Sequence, residues 1–197
     1  MTSGDIGLLL AAASLVLLAG LFTAADAALA SFSKARAVEL LAEGRAGATR
    51  LITILDDAPR YLNTALLLRL ACEISAIVLV TLQIDALVHG SFLVSVLIAI
   101  GSMLVVSFVA IGVAPRTLGR QHAESVALLS AGPLMLFTSV LGPLPQLLIL
   151  IGNAITPGRG FREGPFSSET ELREMVDMAE ASALIESGER KMIHSVF

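Results

Sequence analysis

A single cysteine, Cys72, stands among the 197 residues, so the chain can close no internal disulfide and leaves its redox compartment open. An excess of charge is missing too: 13 basic against 17 acidic side chains give a net charge of −4. That balance points to no nucleic-acid partner, and the basic residues sit beside apolar segments instead of forming one patch. No P-loop, Gly-x-Ser-x-Gly elbow or His-Glu-x-x-His motif occurs, and Cys72 has no positioned base, so no enzymatic machinery is visible. His89 and His122 lack a partner at ligand spacing and read as solvated, not metal-bound.

What the chain has is apolar length. Hydrophobic residues make up 55% of it, and the mean hydropathy is +0.83, above ordinary globular usage. Ile6–Ala25 runs 20 residues without a charge, Gly90–Ala114 runs 25 and Val126–Gly158 runs 33. A helix crossing the hydrocarbon needs about 20. Leu62–Gln83 is also long enough but contains Arg69 and Glu73. A charge at mid-bilayer costs about 2.5 to 3.5 kcal/mol, so these two side chains should face protein, water or each other.

The last run is interrupted by Gly132-Pro133 and by Gly142-Pro143-Leu144-Pro145. Proline removes an amide donor and clashes with the preceding turn, and the stretch from residue 144 is too short to cross alone. The pattern predicts two short helices in a re-entrant or juxtamembrane hairpin, with one kinked spanning helix as the competing reading. The expected fold is an all-α membrane protein. Its membrane domain covers residues 1–158, with transmembrane helices at about 5–30, 62–84 and 91–114 and a short helix pair at 125–142 and 144–156.

The segment from Asp26 to Tyr61 holds five basic residues, Ile84–Ser91 holds none, and Pro115–Ser125 holds Arg116 and Arg120. The positive-inside rule then places the first and third links in the cytoplasm, the amino terminus outside and the carboxyl end inside a plasma (inner) membrane. The amino-terminal run has Asp5 and no basic residue before it, which argues against a cleaved signal peptide. Residues 159–197 carry 13 charges in 39 positions and read as a cytoplasmic acidic helical linker. Ser168 with Glu171 forms a capping box, and Leu172, Met175, Val176 and Ala179 make an apolar stripe. Ser187-Gly188 punctuates the pattern before a second face of Met192, Ile193, Val196 and Phe197. That face either leads into further chain or docks on a partner.

Leu21-Phe22-Thr23-Ala24-Ala25-Asp26-Ala27-Ala28-Leu29-Ala30-Ser31 resembles the end of the first helix in the CNNM/CorC family of membrane proteins, where a Phe-Ser-x-x-Glu-x-Ala-Leu pattern recurs. Val113-Ala114-Pro115-Arg116-Thr117-Leu118-Gly119-Arg120 resembles that family's Pro-Lys-Thr exit from the third helix, and Glu169–Phe197 resembles its acidic linker. The resemblance implies three spanning helices, a pair of shorter cytoplasmic-side helices and a homodimer. It also implies a following pair of nucleotide-binding CBS modules, absent from this chain. The implied activity is Mg²⁺ export coupled to Na⁺ entry, with the ion held between the spanning helices by the oxygen ligands a hard cation requires.

The match departs at the expected ion site. Gly112 stands three residues before Pro115, where the family places a glutamate, and Leu67–Glu73 replaces its Gly-Asn-Asn pattern. Thr23 and Asp26 keep first-helix oxygen chemistry, and with Glu73 they form the candidate metal set. Ser31, Arg69, Gly112 and Pro115 complete the candidate site lining. Arg69 with Glu73, one turn apart on one face, reads three ways: as a structural ion pair replacing a metal, as a movable gate beside a relocated ligand, or as charges snorkelling to an edge. Asp26 reads equally as a ligand or as an interfacial charge. The alternative function is a divergent member that no longer transports and serves as a membrane scaffold or regulator.

Overall fold

Apolar sequence without a breaker becomes long helix. The computed structural model describes residues 3–88, 91–141 and 144–155, together with Val176, Gly188 and Met192, and among these residues it contains no strand. Helix α1 spans Ser3–Ala30. It ends where the Ser31 hydroxyl donates to the Ala27 and Ala28 carbonyls, satisfying acceptors that a helix end leaves free. Helix α2 (Lys34–Ala42) is capped by Ser33, whose side chain accepts from the Arg36 amide. Gly44 and Gly47, at φ of 72° and 92°, turn the chain through the left-handed region into α3 (Ala48–Asp56). Helix α4 (Ala58–Leu87) begins with Pro59 in its first turn, where the missing amide hydrogen costs nothing.

The third long helix has three parts: α5 (Phe92–Val106), a π-helical segment (Ser107–Val113) and α6 (Ala114–Gln121). The chain does not leave the helix at Pro115, as the sequence pattern suggested; it stays helical to Gln121 and keeps Arg116 and Arg120 on its surface. Pro115 offers no amide hydrogen to the Ile111 carbonyl, and the Ala114 amide reaches back five residues to Val109. The wider turn absorbs the proline instead of ending at it. Helix α7 (Ala123–Leu141) carries Pro133 inside it, and α8 (Leu144–Ile155) follows Gly142-Pro143. Among the described residues four helices are long and apolar enough to cross a membrane: Ile6–Ala30, Ala58–Leu87, Phe92–Gln121 and Ala123–Leu141.

Residues 1–149 form one compact unit and residues 150–197 another. In the second unit the described part is the end of α8 and three isolated positions, all helical. Gly188 is one of them, while Ser187 and the residues after Gly188 as far as Lys191 lie outside the described residues. Of the tail stripe only Val176 is described; the capping box at Ser168 lies outside the described residues.

Two layers organise the first unit. In the apolar layer α1 packs along α4 and is crossed by the third helix. The contact is made by small residues, with Ala12, Ala19, Ala24, Ala25, Ala27 and Ala28 buried, which lets helix backbones approach closely. A methyl group built on Gly119 would lie 2.3 Å from the Ala24 carbonyl oxygen, and one on Gly20 would lie 2.9 Å from that of Ala110. Glycine is required at both crossings.

In the second layer Leu51 and Ile54 of α3 meet Ala28 and Leu29 of α1, Ala37 of α2, Ala65 of α4 and Ala127, Ala131 and Leu134 of α7. Full burial of a leucine or isoleucine contributes about 2 kcal/mol, so α3 is held by its packing and not by its own length. Arg36 bonds Glu39, Glu43 and Glu124, Arg45 also reaches Glu124, and Lys34 pairs with Asp56. These pairs are exposed and each is worth about 0 to 1 kcal/mol, yet they fix where α7 begins. Hydrogen bonds that Arg36 donates to Glu39 and then to Glu124 raise its pKa further above its usual range. From Glu124 helix α7 runs back along α1 until Phe137 meets Phe22 edge-on, with ring centroids 5.8 Å apart.

Candidate functional site

The π-helical turn borders a cavity with charged walls. Between α4 and the third helix lies a space of about 560 Å³ lined by Arg69, Glu73, Ser107, Gly112, Arg116 and Arg120, with Leu104, Phe108, Val113 and Thr117 completing its wall. Arg69 and Glu73 share one face of α4, while Arg116 and Arg120 share one face of α6, each pair a single turn apart. A helical path without the π turn would present the α6 face at a different angle to α5. The turn therefore helps set both arginines toward the cavity that α4 also lines.

The Arg69–Glu73 pair is loose. Arg69 Nε stands 3.7 Å from Glu73 Oε2, and both side chains are mostly buried, at 25% and 17% exposure. Among the described residues Arg69 Nε is a buried donor with no hydrogen-bond partner, as is Ser107 Oγ on the opposite wall. A buried donor left unpaired costs about 1 to 3 kcal/mol, more when charged. Asp26, half-buried on α1, feels the charges of both Arg116 and Arg69. The lining itself holds three guanidinium groups and one carboxylate.

The sequence-derived candidates divide accordingly. Arg69, Glu73 and Gly112 share the cavity wall, and Asp26 lies within electrostatic reach of it. Thr23 is buried, and its hydroxyl donates to the Ala19 carbonyl. Ser31 closes α1 as described. Pro115 packs against α1, where its Cγ would meet a methyl group on Gly20 at 3.2 Å. Among the described residues no three acidic, histidine or cysteine side chains are placed to hold a metal ion together. Arg120 and Ser107 joined the site without a signal at the sequence level. Arg116 and Arg120 marked topology there, and only the fold brings them to Arg69.

A second cavity of about 600 Å³ lies between α1, α6 and α7. Leu21, Phe22, Val126, Leu129 and Phe137 give it an apolar wall without a charged residue.

The Cyclin M transmembrane N-terminal domain family matches residues 10–189. A UPF0053 protein of Mycobacterium tuberculosis is 49% identical over 189 residues, which cover 96% of this chain and 43% of the relative. UPF0053 protein YhdT of Bacillus subtilis is 29% identical, covering 98% of this chain and 45% of its own. A putative DUF21 domain-containing chloroplastic protein of Arabidopsis thaliana is 30% identical over 96% of this chain and 28% of its length. The chain thus spans less than half the length of these relatives. Its crossed helices, its proline-bearing third helix and the extent of the match agree: this chain belongs to the CNNM (Cyclin M transmembrane) family.

Proposed function

We propose that the domain works in divalent-cation homeostasis at the plasma membrane, with Mg²⁺ as the exported ion and Na⁺ entry as the driving gradient, and that Arg69 gates the path. The observation that carries this reading is the unspent Arg69 Nε. A pair that only braced α4 would be hydrogen-bonded, since a buried charge needs its partner's full contact to offset desolvation. Here the guanidinium is held loosely between Glu73 and the field of Asp26. Turned toward Asp26, it would free Glu73 to face a cation. In the arrangement described, three positive groups exclude a bare dication, because like charges a few ångströms apart repel by about 4 kcal/mol at a protein-like dielectric.

The reading includes three crossings by α1, α4 and the third helix, with the amino terminus outside. Helices α7 and α8 then form a hairpin entering from the cytoplasm. Its support is that α7 starts among the charged residues of α2, packs on α3, and ends four residues past Phe137, which meets Phe22 of α1. Assembly as a homodimer is part of the same proposal. A second reading, a non-transporting scaffold or regulator, is favoured by the cavity's charge balance and by Gly112 in place of an acid.

Mg²⁺ flux from vesicles containing the purified domain separates the two. The transport reading expects efflux that a Na⁺ gradient accelerates and that Arg69→Ala leaks without the gradient. Absence of flux in both proteins, with Mg²⁺ binding also absent, removes transport as an activity of this domain.

A further inference from the structure

We infer that the cavity between α4 and the third helix is an anion site that takes a phosphate group, supplied by the headgroup of an anionic phospholipid. Three guanidinium groups face one carboxylate there. Arg116 and Arg120 make no ion pair and no side-chain hydrogen bond among the described residues, and both are exposed. On α4 Arg69 Nε, and earlier on the third helix Ser107 Oγ, are buried donors without an acceptor among the described residues. Glu73 meets one guanidinium, and Asp26 forms no ion pair with either Arg69 or Arg116 among the described residues, though it lies within electrostatic reach of both. Planar guanidinium forks match phosphate oxygens bidentately, and a phosphate beside Arg116 and Arg120 would offer them the acceptors the chain does not.

The remaining wall identifies the source. Leu104 and Phe108 border the same cavity nearer the amino-terminal end of the third helix than Arg116 and Arg120, and both are largely exposed. The cavity is therefore graded, apolar at one end and basic at the end nearer the helix terminus, as a phospholipid is graded from acyl chain to headgroup. Basic pockets between helices on the cytoplasmic side suit anionic headgroups. Free phosphate shares the chemistry of the basic end but makes no use of the apolar one. The site stands whether or not the domain moves a cation.

The test is thermal unfolding of the purified chain in neutral detergent with added phosphatidylglycerol, phosphatidylcholine or inorganic phosphate. Phosphatidylglycerol should raise the midpoint and phosphatidylcholine should not. Arg116→Gln and Arg120→Gln, at exposed positions that should not disturb folding, should each weaken the half-maximal lipid concentration about fivefold. Arg45→Gln, away from the cavity, should respond as the parent does. Phe108→Ser should weaken the lipid response and leave any phosphate response unchanged. Protection by inorganic phosphate with the same arginine dependence would uphold the anion site and reassign its source. No protection by either anion, or an equal response in the parent and both arginine variants, would overturn the proposal. Loss of Mg²⁺ flux has no bearing on this readout, so the two proposals fail independently.

Discussion

At Gly119 a methyl group would meet the Ala24 carbonyl oxygen at 2.3 Å, well inside van der Waals contact, and backbone cannot give way as a side chain can. Gly119→Ala should therefore cost about 1 to 3 kcal/mol, the range for overpacking. Gly101→Ala, with nothing within 4 Å, should be neutral or stabilising by up to about 1 kcal/mol from helix propensity. Thermal midpoints of the two variants check the contrast; equal shifts would mean that the crossing is not as close as described. The Arg69–Glu73 pair predicts a second asymmetry. Glu73→Gln leaves three guanidinium groups on one cavity, an expected loss of about 1 to 3 kcal/mol after allowing for partial exposure. Arg69→Gln leaves Glu73 facing Arg116 and Arg120 and should cost less than about 1 kcal/mol. A larger loss for Arg69→Gln would instead mark the arginine as the brace of α4.

At the scale of elements, the π-helical segment behaves as one surplus residue in the third helix. Deleting Val109 from it should let the segment relax to α-helix with both flanks still in phase, and the protein should remain monodisperse. Deleting Ile98 from α5 rotates everything beyond it by about 100° relative to what precedes, which should abolish folding. Size-exclusion profiles of the two deletions decide the matter, and a misfolded Val109 deletion would show that the π geometry holds more than one extra residue. None of this was legible in composition, because a change from four-residue to five-residue hydrogen bonding leaves no pattern in hydrophobicity. Pro115 signalled an end, and the helix absorbed it. Helices α2 and α3 were hidden for another reason: nine residues each, they are too short to hold alone and exist through Leu51 and Ile54 packing under α7.

For the molecule as a whole, the bilayer converts thickness into helix length, which is why the long runs and their charge asymmetry could be read from sequence. The cavity could not, since Arg69 and Arg120 lie on different helices and meet only through the fold. The proposed topology is checked with an impermeant thiol reagent in a Cys72→Ala background. A cysteine at Ser91 should react from outside, while cysteines at Gly44 and Leu144 should react only after permeabilisation. Labelling of Leu144 from outside alone would convert α7 into a fourth crossing, a role its length permits.

The backbone contact at Gly119 also bears on movement. Rotating α6 about its own axis would drive Leu118 or Arg120 into the Ala24 carbonyl, and sliding it lengthwise would meet the same wall at Gly20 against Ala110. Spin and translation are blocked at two points along α1. What is left to these helices is rocking, as of crossed rods pinned where they touch, so that a small tilt at one membrane face swings the opposite face the other way.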